Sequence, residues 1–250
     1  LRPTLNAGAE IQELVKDLCI SLNAEDYFDM AAPICTTIPV ELPPNARKIY
    51  KTLERQMFAE LESGEEVEAV SAAAKTMKCL QLASGAVYLS DTPLWEEVHT
   101  VKLDALRDVI EEAAGMPVLV AYHFRSDLVR LRAAFPKGRT LDKDPDTIAA
   151  WNRGEIPVLF AHPASCGHGL NLQYGSNILC FFSHNWNLEE YQQIIERIGP
   201  ARQKQAGLKR PVFVYHIVAK NTVDELVMER RVTKKSVQDI LLAATRFQQL

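Results

Sequence analysis

Short apolar runs alternate with amphipathic helical segments in the second half of the sequence, and this alternation constrains the fold most strongly. The runs lie at residues 118–121, 156–161, 178–182 and 212–218. Each is short enough to be a strand and is rich in the residues that buried parallel strands prefer. We therefore predict an α/β domain with a mainly parallel sheet and helices on both faces. Its ligand site should lie at the carboxyl ends of the strands.

Capping residues mark where several of the predicted helices begin. Ser126 is the predicted N-cap of the helix that follows run 118–121, and Asp144-Pro145 is a favourable start for the next helix. Asn187 with Glu190 is an Asx variant of the capping box, and it opens the clearest amphipathic helix in the chain. These signals predict helix starts from local chemistry alone.

Residues 1–100 have a different pattern from residues 101–250. The first region holds 8 Lys and Arg against 16 Asp and Glu, whereas the second holds 20 against 16. Four prolines between positions 33 and 44 punctuate an extended stretch of the kind that crosses a surface. Helices are predicted at 45–63 and within 66–84. We predict a helical and irregular extension over 1–100 and an α/β domain over 101–250, whose positive balance allows it to face a polyanion.

Composition excludes several classes of protein. The chain has 250 residues, of which 47% are hydrophobic and 24% charged, as in ordinary globular domains. No apolar run reaches the roughly 18 residues of a membrane span, and no secretory leader is recognisable, so we expect a cytoplasmic protein without membrane contact. The five cysteines show no C-x-x-C pair. His162, Cys166 and His168 lie close together, but no second ligand cluster exists, so we expect no metal site.

The polar side of the helix that begins at Asn187 carries the strongest chemical signal. Gln193 and Arg197 are four residues apart and therefore point the same way, and Arg202 follows just past the helix. A planar guanidinium beside an amide suits a phosphate group whose charge grows in a transition state. A solvated helix face, on which Glu189 and Glu196 balance the arginines, is the alternative interpretation.

A glycine-rich turn, SCGHGLNL at residues 165–172, follows a predicted strand. Gly167 and Gly169 allow the backbone to approach a ligand closely. The turn lacks the G-x-x-x-x-G-K-[ST] order of a phosphate-binding loop, and neither that loop nor an acidic D-E-x-H box occurs in the chain. If the domain handles a nucleoside triphosphate, it supplies only part of the site.

These segments resemble a known family. Residues 165–203 (SCGHGLNL through GPARQ) are similar to motifs V and VI of the Swi/Snf-type ATPases, helicase-like DNA motors of superfamily two. Motif IV of the family is similar to residues 118–124 (VLVAYHF), and the segment that opens its second lobe is similar to residues 40–53 (VELPPNARKIYKTL). The motif sequences resemble most closely those of the bacterial and phage branch. The resemblance implies a C-terminal RecA-like lobe. The first lobe of the family carries the phosphate loop and the acidic box that holds Mg²⁺.

The resemblance assigns expected roles to particular residues. Gln193 and Arg197 match the glutamine and first arginine of motif VI, which implies that Arg197 is an arginine finger. The family's second motif VI arginine falls at Pro200, so either Arg202 replaces it by a different path or Arg197 acts alone. The resemblance and the glycine turn together place nucleotide contacts at Gly167, Gly169 and Asn171. DNA-backbone contacts are implied for His123, Arg125 and Ser165.

The leading hypothesis is the C-terminal lobe of a DNA-dependent ATPase that translocates on double-stranded DNA. ATP with Mg²⁺ would bind between this lobe and an N-terminal RecA-like lobe that holds the metal, and we expect a monomer. The isolated chain should bind DNA weakly and hydrolyse no ATP. A RecA-like module that docks DNA or protein without hydrolysis is the alternative, favoured by Pro200. A third hypothesis is an enzyme that uses Cys166 with His162 or His168 as base.

Overall fold

The structure is a computed structural model that describes residues 31–62, 69–89, 93–142, 144–166 and 169–234, together with Ile240. For residues 56–62 and 69–75 it describes the backbone alone. Residues from Pro33 to Leu250 form one compact unit. The division predicted at residue 100 stays a prediction, and its position falls inside this unit.

The strands of the described residues form two sheets. Their bounds are β1 Ile34–Val40, β2 Ala86–Tyr88, β3 Trp95–Glu97, β4 Val118–Ala121, β5 Arg139–Thr140, β6 Val158–Ala161, β7 Ile178–Phe181 and β8 Phe213–Ala219. Six of them pair in the order β1-β8-β7-β4-β6-β5, and every pairing in this sheet is parallel. Strands β2 and β3 form a separate antiparallel pair. The predicted parallel α/β architecture is confirmed.

Helices connect the strands in the order that a parallel sheet requires. Their bounds are α1 Pro44–Glu62, α2 Ala69–Ser84, α3 Val101–Glu112, α4 Arg125–Ala134, α5 Pro145–Asn152, α6 Leu188–Ile198, α7 Pro200–Gln205 and α8 Val223–Thr233. A short 3-10 turn, Pro163–Ser165, follows β6. Both helices that were predicted before residue 100 are present as α1 and α2.

Two apolar clusters cover opposite faces of the sheet. One contains Leu119 and Phe181 from the strands with Trp151 of α5 and Ile194 of α6. The other contains alternate strand residues, such as Val120 and Phe160, with side chains from α3 and α4. Successive residues of a strand point to opposite faces, so each central strand supplies both clusters. This explains why all four residues of β4, β6 and β7 are buried.

Strand β1 is a finding that the sequence analysis did not predict. The proline-punctuated stretch is extended, as expected, but residues Ile34–Val40 pair in parallel with β8 along their whole length. Pro39 lies opposite Val218 in this pairing. A strand at the edge of a sheet tolerates a proline because one of its sides makes no ladder hydrogen bonds. The sheet therefore begins well before the predicted α/β domain.

The helices before residue 100 are fastened to the end of β8. Arg47 of α1 donates to the carbonyls of Lys220 at 2.6 Å and Asn221 at 2.8 Å. The buried Tyr50 hydroxyl accepts a hydrogen bond from the amide of Val223 at 2.8 Å. The two arginine bonds satisfy carbonyls in the turn before α8, and the Tyr50 bond satisfies the amide of the first residue of α8, which has no partner within the helix.

The start of α4 differs from the prediction. The helix begins at Arg125 with Phe124 as N-cap, so Ser126 lies inside it. The Asp127 carboxylate accepts from the Phe124 amide at 3.1 Å, and the Ser126 amide donates to the Tyr88 hydroxyl at 2.9 Å. A side chain from β2 therefore satisfies a donor that a local cap would have used. The predicted N-cap at Ser126 was wrong.

Two other predicted helix starts are confirmed. The Asp144 side chain accepts from the Asp146 amide at 3.0 Å, with Pro145 as the first helical residue. The Asn187 side chain accepts from the amides of Glu189 and Glu190 at 3.1 and 3.2 Å. The predicted capping box is not closed, however, because the Glu190 carboxylate accepts from Asn185 at 2.9 Å.

Candidate functional site

The carboxyl ends of three neighbouring strands bring the predicted polar residues to one edge of the sheet. β4 lies between β7 and β6, and Ala121 at its end is level with Ala161 and Phe181. The segments that leave these strands carry His123 and Arg125 after β4 and Ser165 after β6. Arg125 and Ser165 are both exposed. The edge is the place where parallel sheets bind ligands.

His123 is neutral in this setting. Its pKa is lowered to about 3, chiefly by burial and also by the nearby His162 and Arg231. Its amide donates to the Ser183 hydroxyl at 2.9 Å, and its ring lies edge-on to that of His162 at 5.4 Å between centroids. A neutral imidazole can hydrogen-bond a phosphate but adds no charge, so Arg125 is the cation among the three predicted DNA contacts.

The glycine-rich turn leaves open space beside its backbone. Gly169 has φ +95°, and a Cβ added to it would meet no atom within 4 Å. This left-handed conformation favours glycine over other residues. Gly167 lies outside the described residues. The exposed Asn171 closes this part of the turn, and its carbonyl accepts from Asn152 at 2.9 Å.

Arg197 is held against the start of this turn. Its side chain lies on α6, the residue is 7% exposed, and its Nε atom donates to the Cys166 carbonyl at 2.9 Å. Among the residues that the structure describes, no carboxylate lies within 4.0 Å of the guanidinium, and its two terminal nitrogens have no acceptor. Within the described part of the chain, Arg197 is thus a mostly buried cation with one anchored nitrogen and two terminal nitrogens that make no hydrogen bond.

Arg202 meets Asn171 directly. Its Nη1 atom donates to the Asn171 Oδ1 atom at 2.6 Å. Gln193, by contrast, donates to Glu189 on its own helix at 2.9 Å. The structure therefore brings Arg197 and Arg202 onto the glycine-rich turn, and it places Gln193 on the part-exposed side of α6.

Cys166 is not an activated nucleophile. Burial raises the pKa of its thiol to about 12, and the opposing effect of Arg197 is smaller. A thiol with such a pKa stays protonated at neutral pH. His162 accepts a hydrogen bond from the Ala164 amide at 3.2 Å, as the cap of the 3-10 turn. His168 lies outside the described residues, so the structure supports no base for this thiol.

Within the described ranges, no group of three or more His, Cys, Asp or Glu side chains is arranged to hold a metal ion. None of the helices in those ranges is both long enough and apolar enough to span a membrane.

Gln203 is a site residue that the sequence analysis missed. It is 1% exposed and lies directly after Arg202 on α7. Its amide nitrogen lies within hydrogen-bond distance of the carbonyls of Gln173, Ser176 and Ile198. Its place at the end of the recognised motif was a signal, but no local pattern separates such a glutamine from a solvated one.

Known proteins resemble this chain in sequence. Putative protein p41 of Acyrthosiphon pisum secondary endosymbiont phage 1 is 57% identical over 240 residues, which cover 96% of this chain and 52% of that protein. The chain thus spans about half the length of this relative. The RAD54-like DNA repair and recombination protein of Drosophila ananassae is 33% identical over 108 residues, or 42% of this chain and 12% of that protein. No protein-family model matches the chain.

Solved structures share the fold. The SWI2/SNF2 ATPase core of Sulfolobus solfataricus in complex with dsDNA has a TM-score of 0.63 at 18% identity, covering 98% of this chain and 54% of that one. The C-terminal part of the Fun30 ATPase domain has a TM-score of 0.57 at 14% identity, covering 86% of this chain and 97% of that one. The match to a C-terminal part shows which of the two lobes the chain corresponds to. The chain therefore has the fold of a Swi/Snf-type C-terminal RecA-like lobe, and part of its sequence is similar to a RAD54-like protein.

Proposed function

We propose that this chain is the lobe that completes the ATP site of a DNA-dependent ATPase and translocates with it along double-stranded DNA. The ATP-binding loop and the Mg²⁺ ligands would come from an N-terminal RecA-like lobe, because this chain has neither motif. ATP hydrolysis would supply the free energy for the movement of one lobe against the other. On this proposal the protein is a cytoplasmic monomer.

Arg197 is the observation that carries the proposal. The residue is 7% exposed and no carboxylate among the described residues pairs with its guanidinium, so its charge can pair with an anion from outside. The bond from Nε to the Cys166 carbonyl fixes the direction of the side chain, while the terminal nitrogens bond to none of the described residues. A preorganised pair of donors of this kind stabilises the charge that develops on a transferred phosphoryl group.

Arg202 supports the same role from a second position. The Asn171 amide oxygen holds it over the glycine-rich turn, although the chain takes a different path after Pro200 from that of the family pattern. An arginine that is anchored to an uncharged amide keeps its full positive charge for a phosphate. We therefore infer that Arg202 replaces the second motif VI arginine, with Gly167, Gly169 and Asn171 beside the nucleotide.

DNA would lie along the edge that carries Arg125 and Ser165. Both side chains are exposed, and an arginine and a hydroxyl are common phosphate contacts. His123 would contribute a neutral hydrogen bond. The Sulfolobus ATPase core of the same fold has been solved in complex with dsDNA, which supports duplex DNA as the partner. Backbone contacts of this kind predict binding that weakens steeply with salt.

The deciding experiment measures the ATPase rate of the full natural protein with and without duplex DNA. Arg197→Ala should lower the DNA-stimulated rate by about 10³-fold or more if Arg197 is an arginine finger. Gln193→Ala should have a much smaller effect, because Gln193 pairs with its own helix. Arg107→Ala is the control, since Arg107 is exposed and pairs with Asp104 on its own helix α3.

A docking module is the second candidate, and the departure at Pro200 favours it. In that case Arg197→Ala and Arg202→Ala would both leave the stimulated ATPase rate intact. Such a result would contradict the proposed catalytic role of this lobe. Steady ATP turnover by the purified isolated chain would contradict it as well, because the proposal requires a second lobe.

A further inference from the structure

The turn that follows the glycines is held by side chains from elsewhere in the chain. The carbonyls of residues 171 to 174 each accept at least one such bond. The donors are Asn152 to Asn171 at 2.9 Å, Trp151 to Leu172 at 2.9 Å, and Arg210 to Gln173 at 2.6 Å and to Tyr174 at 3.1 Å. A turn without regular secondary structure normally leaves such carbonyls to water. Here they are fixed by the protein itself.

Gln203 lies at the centre of this arrangement. Its amide nitrogen is 3.2 Å from the Gln173 carbonyl, 2.9 Å from that of Ser176 and 3.0 Å from that of Ile198. Its amide oxygen accepts from the Arg210 Nε atom at 2.9 Å. One buried side chain therefore joins the last residue of α6 and the turn. Because the Gln203 Oε1 atom accepts from Arg210, the other end of the amide must be the NH₂ group that faces the carbonyls.

Helix α7 depends on these bonds for its position. It has 6 residues and begins after Gly199, where the chain turns away from α6. A helix of this length has little stability of its own, so tertiary contacts determine where it lies. Gln203 is its one fully buried residue among those that the structure describes. Arg202, the preceding residue, reaches Asn171 from the same helix.

We propose that Gln203 is a positioning residue, which places Arg202 on Asn171 and so sets the second motif VI arginine in its working position. The inference rests on the proposed function, since it names a residue that serves the same site. Gln203 would touch neither nucleotide nor DNA. It would act by holding α7 and the turn 171–176 as one unit, and Arg210 would act through it by fixing the orientation of the amide.

A double-mutant cycle in the full natural protein tests this coupling. Gln203→Met keeps the volume of the side chain and removes its donors, and we expect the DNA-stimulated kcat to fall about 10-fold with a smaller change in KM. In an Arg202→Ala background the same substitution should lower kcat by less than about 2-fold, because the residue that it positions is gone. Thermal denaturation checks that each variant is folded.

Asn177→Leu is the matched control. Asn177 is buried, and its amide donates to the Pro211 carbonyl at 2.6 Å, so it joins the starts of β7 and β8, and no hydrogen bond among the described residues links it to α7. Its substitution should destabilise the fold comparably, and its effect on kcat should be the same with and without Arg202. If Gln203→Met does not fold, Arg210→Met replaces it, because that change removes the partner that orients the amide.

Two results would overturn the inference. One is a reduction of the DNA-stimulated kcat by Gln203→Met that is equally large with Arg202 present and with Arg202→Ala, which would mean that Gln203 acts independently of Arg202. The other is an Arg202→Ala variant with normal ATPase activity. If Arg197→Ala still abolishes hydrolysis in either case, the proposed function survives and only the role of Gln203 fails.

Discussion

Lys102 and Asp224 form an ion pair inside the core, with 2.6 Å between Nζ and Oδ2 and side chains that are 0% and 1% exposed. Lys102 lies at the start of α3 and Asp224 in the first turn of α8. The same carboxylate oxygen accepts from the Ala219 amide at 3.0 Å. The pair therefore ties two helices to the end of β8.

Removal of Lys102 should destabilise the fold strongly. Lys102→Met leaves a buried carboxylate without its cation, and we expect the free energy of unfolding to fall by about 3–5 kcal/mol. The double variant Lys102→Met with Asp224→Asn should lose less than the sum of its single changes, because no charge is left buried. Urea denaturation followed by circular dichroism measures both.

The exposed pair Arg107–Asp104 is the control for this comparison. Its atoms are 2.9 Å apart, but the side chains are 49% and 59% exposed. Arg107→Met should therefore change the free energy of unfolding by less than about 1 kcal/mol. If Lys102→Met and Arg107→Met lowered the free energy of unfolding equally, burial would not determine how much each ion pair contributes to stability.

Gly85 should not accept a side chain. It has φ +111°, and a Cβ there would lie 2.4 Å from both the His99 carbonyl oxygen and an Arg130 nitrogen. Gly85→Ala should cost more than about 2 kcal/mol, since it adds a clash with backbone to an unfavourable conformation. Gly115→Ala, with φ +91° and no atom within 4 Å, should cost about 1 kcal/mol. Thermal denaturation of both variants tests whether the clash matters beyond the conformation.

Buried His99 should make the fold sensitive to acid. Its pKa is lowered from 6.5 to about 4, chiefly by burial; the bond to the Leu82 carbonyl opposes this shift, and the neighbouring cations of Lys102 and Arg130 add to it. Between about pH 6.5 and pH 4 the unfolded chain binds a proton that the folded chain does not. The free energy of unfolding should therefore fall as the pH falls through this range, by up to about 1.4 kcal/mol per pH unit from His99 alone.

His99→Gln should reduce that dependence on pH. Glutamine can still donate to the Leu82 carbonyl, which lies 2.9 Å from the His99 Nε2 atom, but it does not titrate. Urea denaturation at a series of pH values between about 7 and 5 gives, for each protein, the slope of the free energy of unfolding against pH. A variant whose slope equals that of the natural sequence would show that other groups govern acid sensitivity.

Arg231 is a buried cation whose charge we expect to be dispensable for stability. Its guanidinium carbon lies 4.2 Å from the Tyr191 ring centroid and 5.0 Å from that of Phe181. Its Nε and Nη2 atoms are buried without a hydrogen-bond partner among the described residues. Arg231→Met keeps the contact with the rings and removes the unmet donors, so the free energy of unfolding should change by less than about 1 kcal/mol.

Arg231→Ala provides the comparison, because it removes the contact with the rings as well. It should cost about 1–3 kcal/mol in urea denaturation. If the methionine and alanine variants lose the same amount, the interaction of the charge with the aromatic rings matters more than packing, contrary to this prediction.

The local order of the domain was predictable because its signals are local. Asn187 caps α6 as predicted, and the run predicted at 178–182 is strand Ile178–Phe181. Ser126 failed as a cap because the donors at the start of α4 are satisfied by Asp127 and by Tyr88, a residue of a distant strand. A cap can be read from the sequence only where its partner is a neighbour in the sequence.

Strand β1 shows the same limit on a larger scale. Its residues are mostly exposed and lack the apolar character of the central strands. It is a strand because β8 offers its backbone a row of partners, and a pairing between residues so far apart cannot be read from the sequence of β1 alone.

By itself the sequence determined the alternation of strands and helices, the likeness to Swi/Snf motifs, and the presence of Arg197, Arg202 and Asn171 in them. Each of these depends on residue type and on spacing along one segment. Only the tertiary structure decided that Arg197 is anchored on the Cys166 carbonyl, that Arg202 meets Asn171, and that the buried Gln203 amide lies within hydrogen-bond distance of three backbone carbonyls. Those contacts join segments that are far apart in the chain. Their geometry is fixed by how the sheet and its helices pack, which spacing along a single segment does not encode.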